Sequence, residues 1–326
     1  MPAPELRICV AETDLEAALR LDVRHGLTSH PKRLPMRLHY DGRGSAMFGE
    51  LTRQPEYYQT RSERAILRDH AAAIAGALGD GPVSVVELGA GRAEKIRPVL
   101  DALAGAGRLD AFWPFDVAAG QLREVLLELA DAYPGARLGG VVGDFTRDLD
   151  QLPDRGGARL VAFLGGTFGN FTGPERSRFL RDLREAVRPG DRFLLGADLV
   201  KDPEVILAAY NDAAGVTAEF NRNVLYVLNH RLDADFRPDD FEHVVLWDGD
   251  TATIDMRLRA MRAMAVDVAA LALDVGFRAG EEIRTGVSVK FHRGELENQL
   301  QASGFEPEAC WTDERGYMGV FLARAV

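Results

Sequence analysis

The sequence has little cysteine and no long apolar stretch. Its 326 residues include two cysteines, Cys9 and Cys310, which lie at opposite ends of the chain without metal-ligand spacing. We therefore expect two reduced thiols, no disulfide framework and no bound metal. No run of about 18 uncharged apolar residues is present, and the N-terminus lacks a basic region followed by an apolar one. The sequence thus predicts no membrane partner and a cytoplasmic location.

A surplus of positive charge is also missing. Lysine and arginine number 39 against 50 aspartates and glutamates, which gives a net charge of −11. Phosphate contacts require clustered lysine and arginine, so we expect no nucleic-acid partner, and nothing indicates an obligate protein partner. The composition, 46% hydrophobic and 27% charged, is typical of a soluble globular protein, and the length suggests about two domains.

The chain from about residue 62 alternates helical and strand patterns. The segment SERAILRDHAAAIAGAL has the 3.6-residue period, with Ser62 as a candidate N-cap, and VSVVEL at 83–88 is typical of a buried parallel strand. Alternating units of this kind predict a doubly wound, Rossmann-like α/β sheet. The other strand and helix signals of this part lie at 111–116, 137–145, 159–166, 174–190 and 191–200.

The pattern changes after residue 200. Helical sequence at 202–232 is followed by alternation around Asp248-Gly249, a hairpin signal, and by a strand at 286–291. The final segment predicts a helix that stops at Gly304 and then two strands joined by a turn. This ending is typical of class I methyltransferase sheets, whose last strand is antiparallel.

A glycine pair follows the strand at 83–88 and precedes a helix. Gly89 and Gly91, in ELGAG, allow close approach of a ligand to the backbone at a helix N-terminus that favours anions, although a structural turn is the alternative. A dinucleotide fingerprint would need a third glycine where this chain has Glu94. Glu87, just before the loop, is typical of S-adenosylmethionine sites.

Two aspartates end successive strands beyond this loop. Asp116 is placed to accept the ribose hydroxyls of a cofactor, Asp144 its adenine amino group, and Phe145 can cover the purine. Lys95, which we place in the first turn of the next helix, is a candidate for the cofactor's carboxylate, because a cation there otherwise opposes the helix dipole. Capping or solvated side chains are the alternatives for these charged residues.

The cofactor loop lies in the first of two predicted domains. We assign S-adenosylmethionine binding to this domain and substrate binding to an inserted α+β lobe, with a small substrate expected in a cleft between them. The cofactor domain comprises residues 62–200 and 290–326, and the substrate lobe comprises residues 1–61 and 201–289.

A candidate acceptor site follows the fourth strand. In FLGGTFGNF, at 163–171, the carbonyl oxygen of Asn170 can accept from an amine N–H and aim its lone pair. A turn stabilised by the asparagine is the alternative.

Five motifs together carry a more specific resemblance. HYDGRGSAMFGELTRQPEYYQTRSE, VELGAGRAEK, FLGGTFGNF, GADLVKD and YNDAAGVTAEFNRNVL occur in order, and over nearly its whole length the chain resembles the bacterial histidine Nα-methyltransferases of ergothioneine biosynthesis. The resemblance implies transfer of three methyl groups from S-adenosylmethionine to the α-amine of a free amino acid, which gives a betaine.

The resemblance also implies a set of site residues. Tyr57, Asn170 and Tyr210 would hold the carboxylate and amine of the substrate, with Gly165 contributing backbone, and Tyr40 and Phe48 would line the same pocket. Tyr40 and a water are one route for the amine proton, and solvent is the other. The implied cofactor contacts are Gly89, Lys95, Asp116, Asp144 and Phe145, to which the glycine loop itself adds Gly91.

One position departs from the family pattern. The family has a glutamate and, two residues later, a serine that bind imidazole from one face of a strand; this chain keeps Ser288 but has Gly286. Loss of the carboxylate is expected to weaken histidine preference and to open space for a larger side chain such as that of tryptophan, with Met256 as a pocket wall. The alternatives are a methyltransferase of another small amine, a cofactor-binding protein without catalysis, and a nicotinamide oxidoreductase.

Overall fold

A computed structural model describes residues 5–154 and 156–326. The chain divides into two compact units. The first unit takes its described residues from Met1–Ala11, Gln59–Leu199 and Phe291–Val326, and the second comprises Glu12–Tyr58 and Val200–Lys290.

The helices and strands are numbered in chain order. The α-helices are α1 (Glu12–Thr28), α2 (Gly42–Leu51), α3 (Gln59–Gly76), α4 (Arg97–Gly105), α5 (Ala119–Ala132), α6 (Gly173–Ala186), α7 (Pro203–Tyr210), α8 (Val216–Leu232) and α9 (Arg293–Ala302). The β-strands are β1 (Glu5–Ile8), β2 (Lys32–Arg33), β3 (Val83–Leu88), β4 (Leu109–Asp116), β5 (Arg137–Val142), β6 (Ala158–Phe163), β7 (Arg192–Asp198), β8 (Phe241–Asp248), β9 (Thr253–Ala260), β10 (Met264–Val268), β11 (Leu273–Phe277), β12 (Glu282–Val289), β13 (Phe305–Thr312) and β14 (Met318–Ala325).

The first unit is built on an eight-stranded sheet in the order β1-β5-β4-β3-β6-β7-β14-β13. Neighbours from β1 to β7 pair in parallel, whereas β14 runs antiparallel to both β7 and β13. All six residues of β3 are buried, because helices cover both faces of a doubly wound sheet. This is the class I S-adenosylmethionine methyltransferase fold that the sequence predicts. Its strand order reverses at β3, where such sheets bind ligands at their carboxyl ends.

The second unit joins helices to a smaller sheet. Strands β2, β12, β9 and β8 form this sheet, and β10 pairs with β11 in a separate hairpin. The hairpin predicted at Asp248-Gly249 is confirmed, since β8 and β9 pair up to Asp248 opposite Thr253. Apolar faces of α1 and α8 pack with these strands into one core that includes Val23, Leu228 and Leu258.

Several local expectations were wrong. Ser62 is not an N-cap: α3 begins at Gln59, and the Ser62 hydroxyl donates instead to Asp313 at 3.1 Å. The helical run at 202–232 is two helices, because Asn211–Gly215 interrupts it and Gly215 adopts a positive φ of 73°. Residues 5–11 were expected in the substrate lobe, but β1 pairs with β5 and belongs to the first unit.

Two histidines are enclosed by the second unit. His39 ends a 3-10 helix, is fully buried and lies 5.0 Å from the ring of Phe220, centroid to centroid. His243 lies on β8, and its Nε2 is 3.0 Å from the carbonyl oxygen of Tyr210. Burial lowers the pKa of both imidazoles below the ordinary value of 6.5, so both are held neutral in the folded chain.

This burial predicts an acid-sensitive fold. Above pH 6.5 both folded and unfolded chains carry these histidines neutral. Below it only the unfolded chain takes up protons, so the free energy of unfolding should fall by up to about 1.4 kcal/mol per pH unit for each histidine. Urea unfolding between pH 5 and pH 8 measures this. His39→Gln should reduce the slope, whereas His230→Gln, at an exposed position, should leave it unchanged. A stability independent of pH over this range would contradict the assignment.

Candidate active site

The glycine loop after β3 presents bare backbone beside an aromatic ring. Gly89 and Gly91 have positive φ values of 64° and 54°, which glycine adopts without strain. A Cβ added at Gly89 would come 3.3 Å from Cε1 of Phe145, so a side chain there would press on that ring. The loop, β4 and the turn after β5 therefore form a cradle in which a flat ligand can approach the backbone.

The two aspartates of the cradle already make backbone contacts. Asp116 accepts from the N–H of Gly91 at 3.0 Å and from that of Ala118 at 3.1 Å, which ties the ends of β3 and β4 together. Asp144 Oδ1 accepts from the backbone N–H and hydroxyl of Thr146. Both aspartates therefore bind local backbone N–H groups, as the capping alternative expects. A carboxylate has about four lone-pair sites, so ligand hydroxyls remain chemically possible partners.

Glu87 is a buried acid at the end of β3. It is 3% exposed, and among the residues that the structure describes its Oε2 has no hydrogen-bond partner. Burial raises the pKa of Glu87 to about 8; nearby Lys95 opposes the shift, and Glu63 and Asp116 reinforce it. A buried acid whose oxygen has no partner is stabilised when a ligand supplies a cationic hydrogen-bond donor. Glu87 beside the glycine cradle therefore suits a ligand that carries such a cation.

Lys95 and Gly165 share one carboxylate. Glu63 on α3 is fully buried, and its two oxygens lie 2.8 Å and 2.9 Å from the backbone nitrogen of Gly165, which donates to them. Lys95 Nζ lies 3.2 Å from Glu63 Oε2. Lys95 was expected in the first turn of a helix, but α4 begins only at Arg97, with Ile96 as its N-cap. Instead of standing as an isolated cation, Lys95 belongs to the Glu63 network.

The predicted acceptor residue follows this network. Gly165 and Gly166 have φ values of 87° and 66°, and they lead from β6 into a short 3-10 helix, Thr167–Asn170, that ends at the predicted asparagine. Because the N–H of Gly165 is bound to Glu63, its carbonyl oxygen is the backbone group left to serve a substrate.

Aromatic residues cluster in the second unit. The centroids of Tyr40 and Phe48 lie 5.6 Å apart, those of Phe48 and Tyr57 6.0 Å, and Phe220 lies within 5.9 Å of both Tyr40 and Phe48. We call Tyr40, Phe48, Tyr57 and Phe220 the aromatic cluster. The faces of such rings attract cations, including quaternary ammonium groups.

The phenol of Tyr40, in the aromatic cluster, has a perturbed pKa. The residue is 44% exposed, yet protein atoms crowd its phenol oxygen, and this burial, with a smaller contribution from Tyr210, raises the pKa of Tyr40 above its usual value. Tyr40 is therefore a neutral phenol at physiological pH and a poor proton acceptor.

Tyr210 and Ser288 are joined by a buried lysine. The Tyr210 hydroxyl donates to Ser288 Oγ at 2.9 Å, and Lys290 Nζ donates to both oxygens, at 2.8 Å and 2.9 Å. Lys290 is 2% exposed. The ammonium holds the two hydroxyls in one orientation and places positive charge beside them, which suits an anionic group such as a carboxylate.

The space beside Gly286 is filled by sulfur side chains. A Cβ at this position would lie 2.5 Å from Sδ of Met36 and 2.8 Å from Cε of Met256. The expectation that Gly286 opens space must therefore be corrected, because Met36 occupies the room. Both obstacles are the ends of flexible side chains, so a ligand can displace them at small cost.

The sequence-predicted residues fall into two sets, one in each unit. The first unit holds Gly89, Gly91, Lys95, Asp116, Asp144, Phe145, Gly165 and Asn170. The second unit holds Tyr40, Phe48, Tyr57, Tyr210, Met256, Gly286 and Ser288.

Sequence reasoning missed Glu63, Met36, Phe220 and Lys290. Glu63 had a usable signal: it precedes Ile66 and Leu67 on the buried face of α3, and an acid at such a position is seldom buried without a partner. Met36 had none, since it meets Gly286 only through the fold.

Metal-ligand groups and membrane-spanning helices are both absent from the part of the chain that the structure describes. There, no group of three or more histidine, cysteine, aspartate or glutamate residues could hold a metal ion. No helix in the same residues is long and apolar enough to cross a membrane.

Comparison with known proteins gives consistent matches over most of the chain. The family model described as "Histidine-specific methyltransferase, SAM-dependent" matches residues 19–325. Histidine N-alpha-methyltransferase of Mycolicibacterium smegmatis is 49% identical over 306 residues, and that of Mycobacterium tuberculosis is 47% identical over 306 residues. In both pairs the match covers 94% of each chain.

A more distant relative acts on another amino acid. The 4-dimethylallyltryptophan N-methyltransferase of Penicillium roqueforti is 26% identical over 322 residues, 94% of each chain. The resemblance seen in the motifs is confirmed by the family match and the two mycobacterial relatives. The chain therefore belongs to the histidine-specific, S-adenosylmethionine-dependent methyltransferase family, and it is an amino acid N-methyltransferase.

Proposed function

We propose that this protein transfers three methyl groups to the α-amine of free histidine and so forms a betaine. The observation that carries the proposal is the aromatic cluster, together with the lysine-bound hydroxyls of Tyr210 and Ser288 in the same unit. Rings favour the permanent cation of the product, and hydroxyls beside an ammonium favour the carboxylate. A free amino acid in its trimethylated form carries both groups.

The first unit would hold the cofactor through the loops that end β3, β4 and β5. S-adenosylmethionine, when bound, supplies a methyl group already activated by its sulfonium. Asp116 would accept from the ribose hydroxyls, Asp144 from the adenine amino group, and Phe145 would cover the purine. Glu87, with its unpaired buried oxygen, is suited to the ammonium of the cofactor's amino acid end. The N–H groups and small volume of Gly89 and Gly91 admit the ligand to the backbone.

The amino acid would be held at both ends of its backbone. Tyr57 would donate to its carboxylate, as would Tyr210 once its hydroxyl turns from Ser288 to the ligand, and the carbonyl oxygens of Asn170 and Gly165 would accept from its amine. These bonds would orient the nitrogen lone pair towards the methyl carbon and remove water from the path, which is most of what this reaction requires.

In each of the three rounds the ammonium form of the substrate would first lose one proton, and the neutral amine would then gain one N–C bond as one S–C bond of the methyl donor breaks. The raised pKa of Tyr40 means that its phenol already holds its own proton, so it cannot keep the proton of the amine. We propose that Tyr40 relays the proton through water to solvent, and that uncharged or aromatic groups surround the amine so that its neutral form is available.

The side-chain end of the substrate faces Ser288, Met36 and Met256. Histidine is the substrate that the names of the mycobacterial relatives give for those proteins. A second candidate is an indole side chain, which is favoured by the flexible thioethers beside Gly286, since sulfur packs well against aromatic rings. The Penicillium relative is named for a tryptophan derivative.

A substrate panel tests the proposal. Purified protein, S-adenosylmethionine and each of the twenty amino acids should yield one amino acid, histidine or tryptophan, that gains up to three methyl groups by mass spectrometry. Fragmentation should place all of them on the α-nitrogen. The absence of any methylated amino acid, or methylation on the side chain, would refute the proposal.

Substitution of Gly286 tests the side-chain assignment. Gly286→Glu restores a carboxylate acceptor for the imidazole N–H, and a buried hydrogen bond to a charged group is worth about 1.5–3 kcal/mol, or about ten- to a hundred-fold. We expect kcat/KM for histidine to rise relative to tryptophan by roughly this factor. Because Met36 fills the space, Gly286→Glu combined with Met36→Ala should show the larger shift. Met36→Ala alone is the control. If the double variant ranks histidine and tryptophan as the wild type does, the substrate's side chain binds elsewhere.

Glu87 predicts that cofactor binding depends on pH. Its pKa of about 8 means that the free protein carries it mostly protonated at neutral pH, whereas a bound cation favours the ionised form. Affinity for S-adenosylhomocysteine should therefore fall as the pH drops below 8, by up to about tenfold per pH unit. Calorimetry in buffers of different ionisation enthalpy should detect release of a proton on binding. Glu87→Gln should abolish the release, while Glu94→Gln, at a half-exposed ion pair, should retain it. Proton release unaffected by Glu87→Gln would contradict this role.

A further inference from the structure

One asparagine of α8 makes four contacts in the interior of the second unit. Asn221 is fully buried. Its Nδ2 lies 2.8 Å from His243 Nδ1 and 3.1 Å from the carbonyl oxygen of Arg257. Its Oδ1 lies 2.6 Å from Thr285 Oγ1 and 3.2 Å from His39 Nε2. Both N–H donors of the amide and its acceptor site towards Thr285 are therefore in use, whereas the neutral His39 has one N–H for two acceptors, Asn221 Oδ1 and the carbonyl oxygen of Met36.

The orientation of this amide is determined by its partners. The carbonyl oxygen of Arg257 only accepts, so it must face Nδ2. His243 directs Nε2 at the carbonyl oxygen of Tyr210 and must donate there, which leaves Nδ1 as the acceptor for Asn221. With Nδ2 placed by two acceptors, Oδ1 necessarily faces Thr285 and His39.

The three side-chain partners of Asn221 each contact backbone next to the proposed side-chain pocket. His39 Nδ1 lies 2.9 Å from the carbonyl oxygen of Met36, and His243 holds that of Tyr210. Thr285 Oγ1 lies 3.1 Å from the carbonyl oxygen of Met256 and precedes Gly286 in β12. One amide is thus connected to Tyr210 through His243 and to Met256 through Thr285, and it also lies against His39, the neighbour of Met36.

We infer that Asn221 is a positioning residue that determines the shape of the amino-acid side-chain pocket by fixing His243 and Thr285 against the backbone of Tyr210 and Met256. The inference rests on the proposed function, since these are the residues proposed to contact the substrate. Buried networks of this kind specify one arrangement because any loss leaves a polar group unpaired. Asn221 itself need not touch substrate or cofactor.

Two matched pairs of variants test this role. Thr285→Val keeps the shape of the side chain and removes the hydroxyl, whereas Thr285→Ser keeps the hydroxyl. Asn221→Ala removes the central amide. Asn229→Ala removes an amide two turns later on α8 that bonds only the backbone of Phe236, and so it is the control for loss of stability. The readouts are KM and kcat for the preferred amino acid, the Kd of S-adenosylhomocysteine, and the unfolding temperature.

A positioning role predicts a separation of these readouts. Thr285→Val should raise KM for the amino acid by about tenfold, because a buried polar group loses its partner, and should leave the cofactor Kd within about twofold. Thr285→Ser should restore KM, and Asn229→Ala should lower the unfolding temperature without changing KM. If Asn221→Ala does not fold, the Thr285 pair decides alone.

Two results would overturn the inference. The first is an unchanged KM in Thr285→Val, and the second is equal KM values in the valine and serine variants. If the wild-type protein methylates no amino acid, the proposed function fails and the inference fails with it. An active wild type with unaffected variants contradicts only the role of Asn221.

Discussion

The first unit depends on one buried carboxylate, that of Glu63. It lies between the loop that follows β3 and the loop that follows β6, and it binds Lys95 of one and the backbone N–H of Gly165 of the other. A charge with no exposed surface is tolerated only when it is paired and hydrogen-bonded, and here both conditions are met. Its presence also dictates Gly196 on β7, where a Cβ would come 1.8 Å from Glu63 Oε1. The relative positions of the loops after β3 and β6 follow from that pairing.

The second unit also buries a charged side chain, here the lysine Lys290. Lys290 is buried, and its Nζ donates to the hydroxyls of Tyr210 and Ser288, so its positive charge lies beside these two groups. The aromatic cluster, by contrast, offers ring faces to a cation. We propose a zwitterionic amino acid as the ligand because it carries both a carboxylate for these hydroxyls and a nitrogen that becomes a permanent cation for the rings.

Much of the architecture could be predicted, because it rests on local patterns. The buried run of β3, the glycine pair after it and the turn at Asp248 each appear in a few consecutive residues. What could not be predicted depends on residues far apart in the chain. Met36 fills the space beside Gly286, 250 positions later, and no local pattern connects them. Asn221 shares an apolar helix face with Val224, Leu225 and Leu228, which signals a buried polar group but not its partners.

A crystal structure with S-adenosylhomocysteine and trimethylated histidine would test the central claim most directly, namely that the α-nitrogen receives the methyl group in the described surroundings. The account predicts adenosine at Asp116, Asp144 and Phe145, the carboxylate at Tyr57 and Tyr210, and one methyl carbon directed at the cofactor's sulfur. An amino acid bound with its nitrogen turned away from the sulfur, or held by other residues, would contradict it.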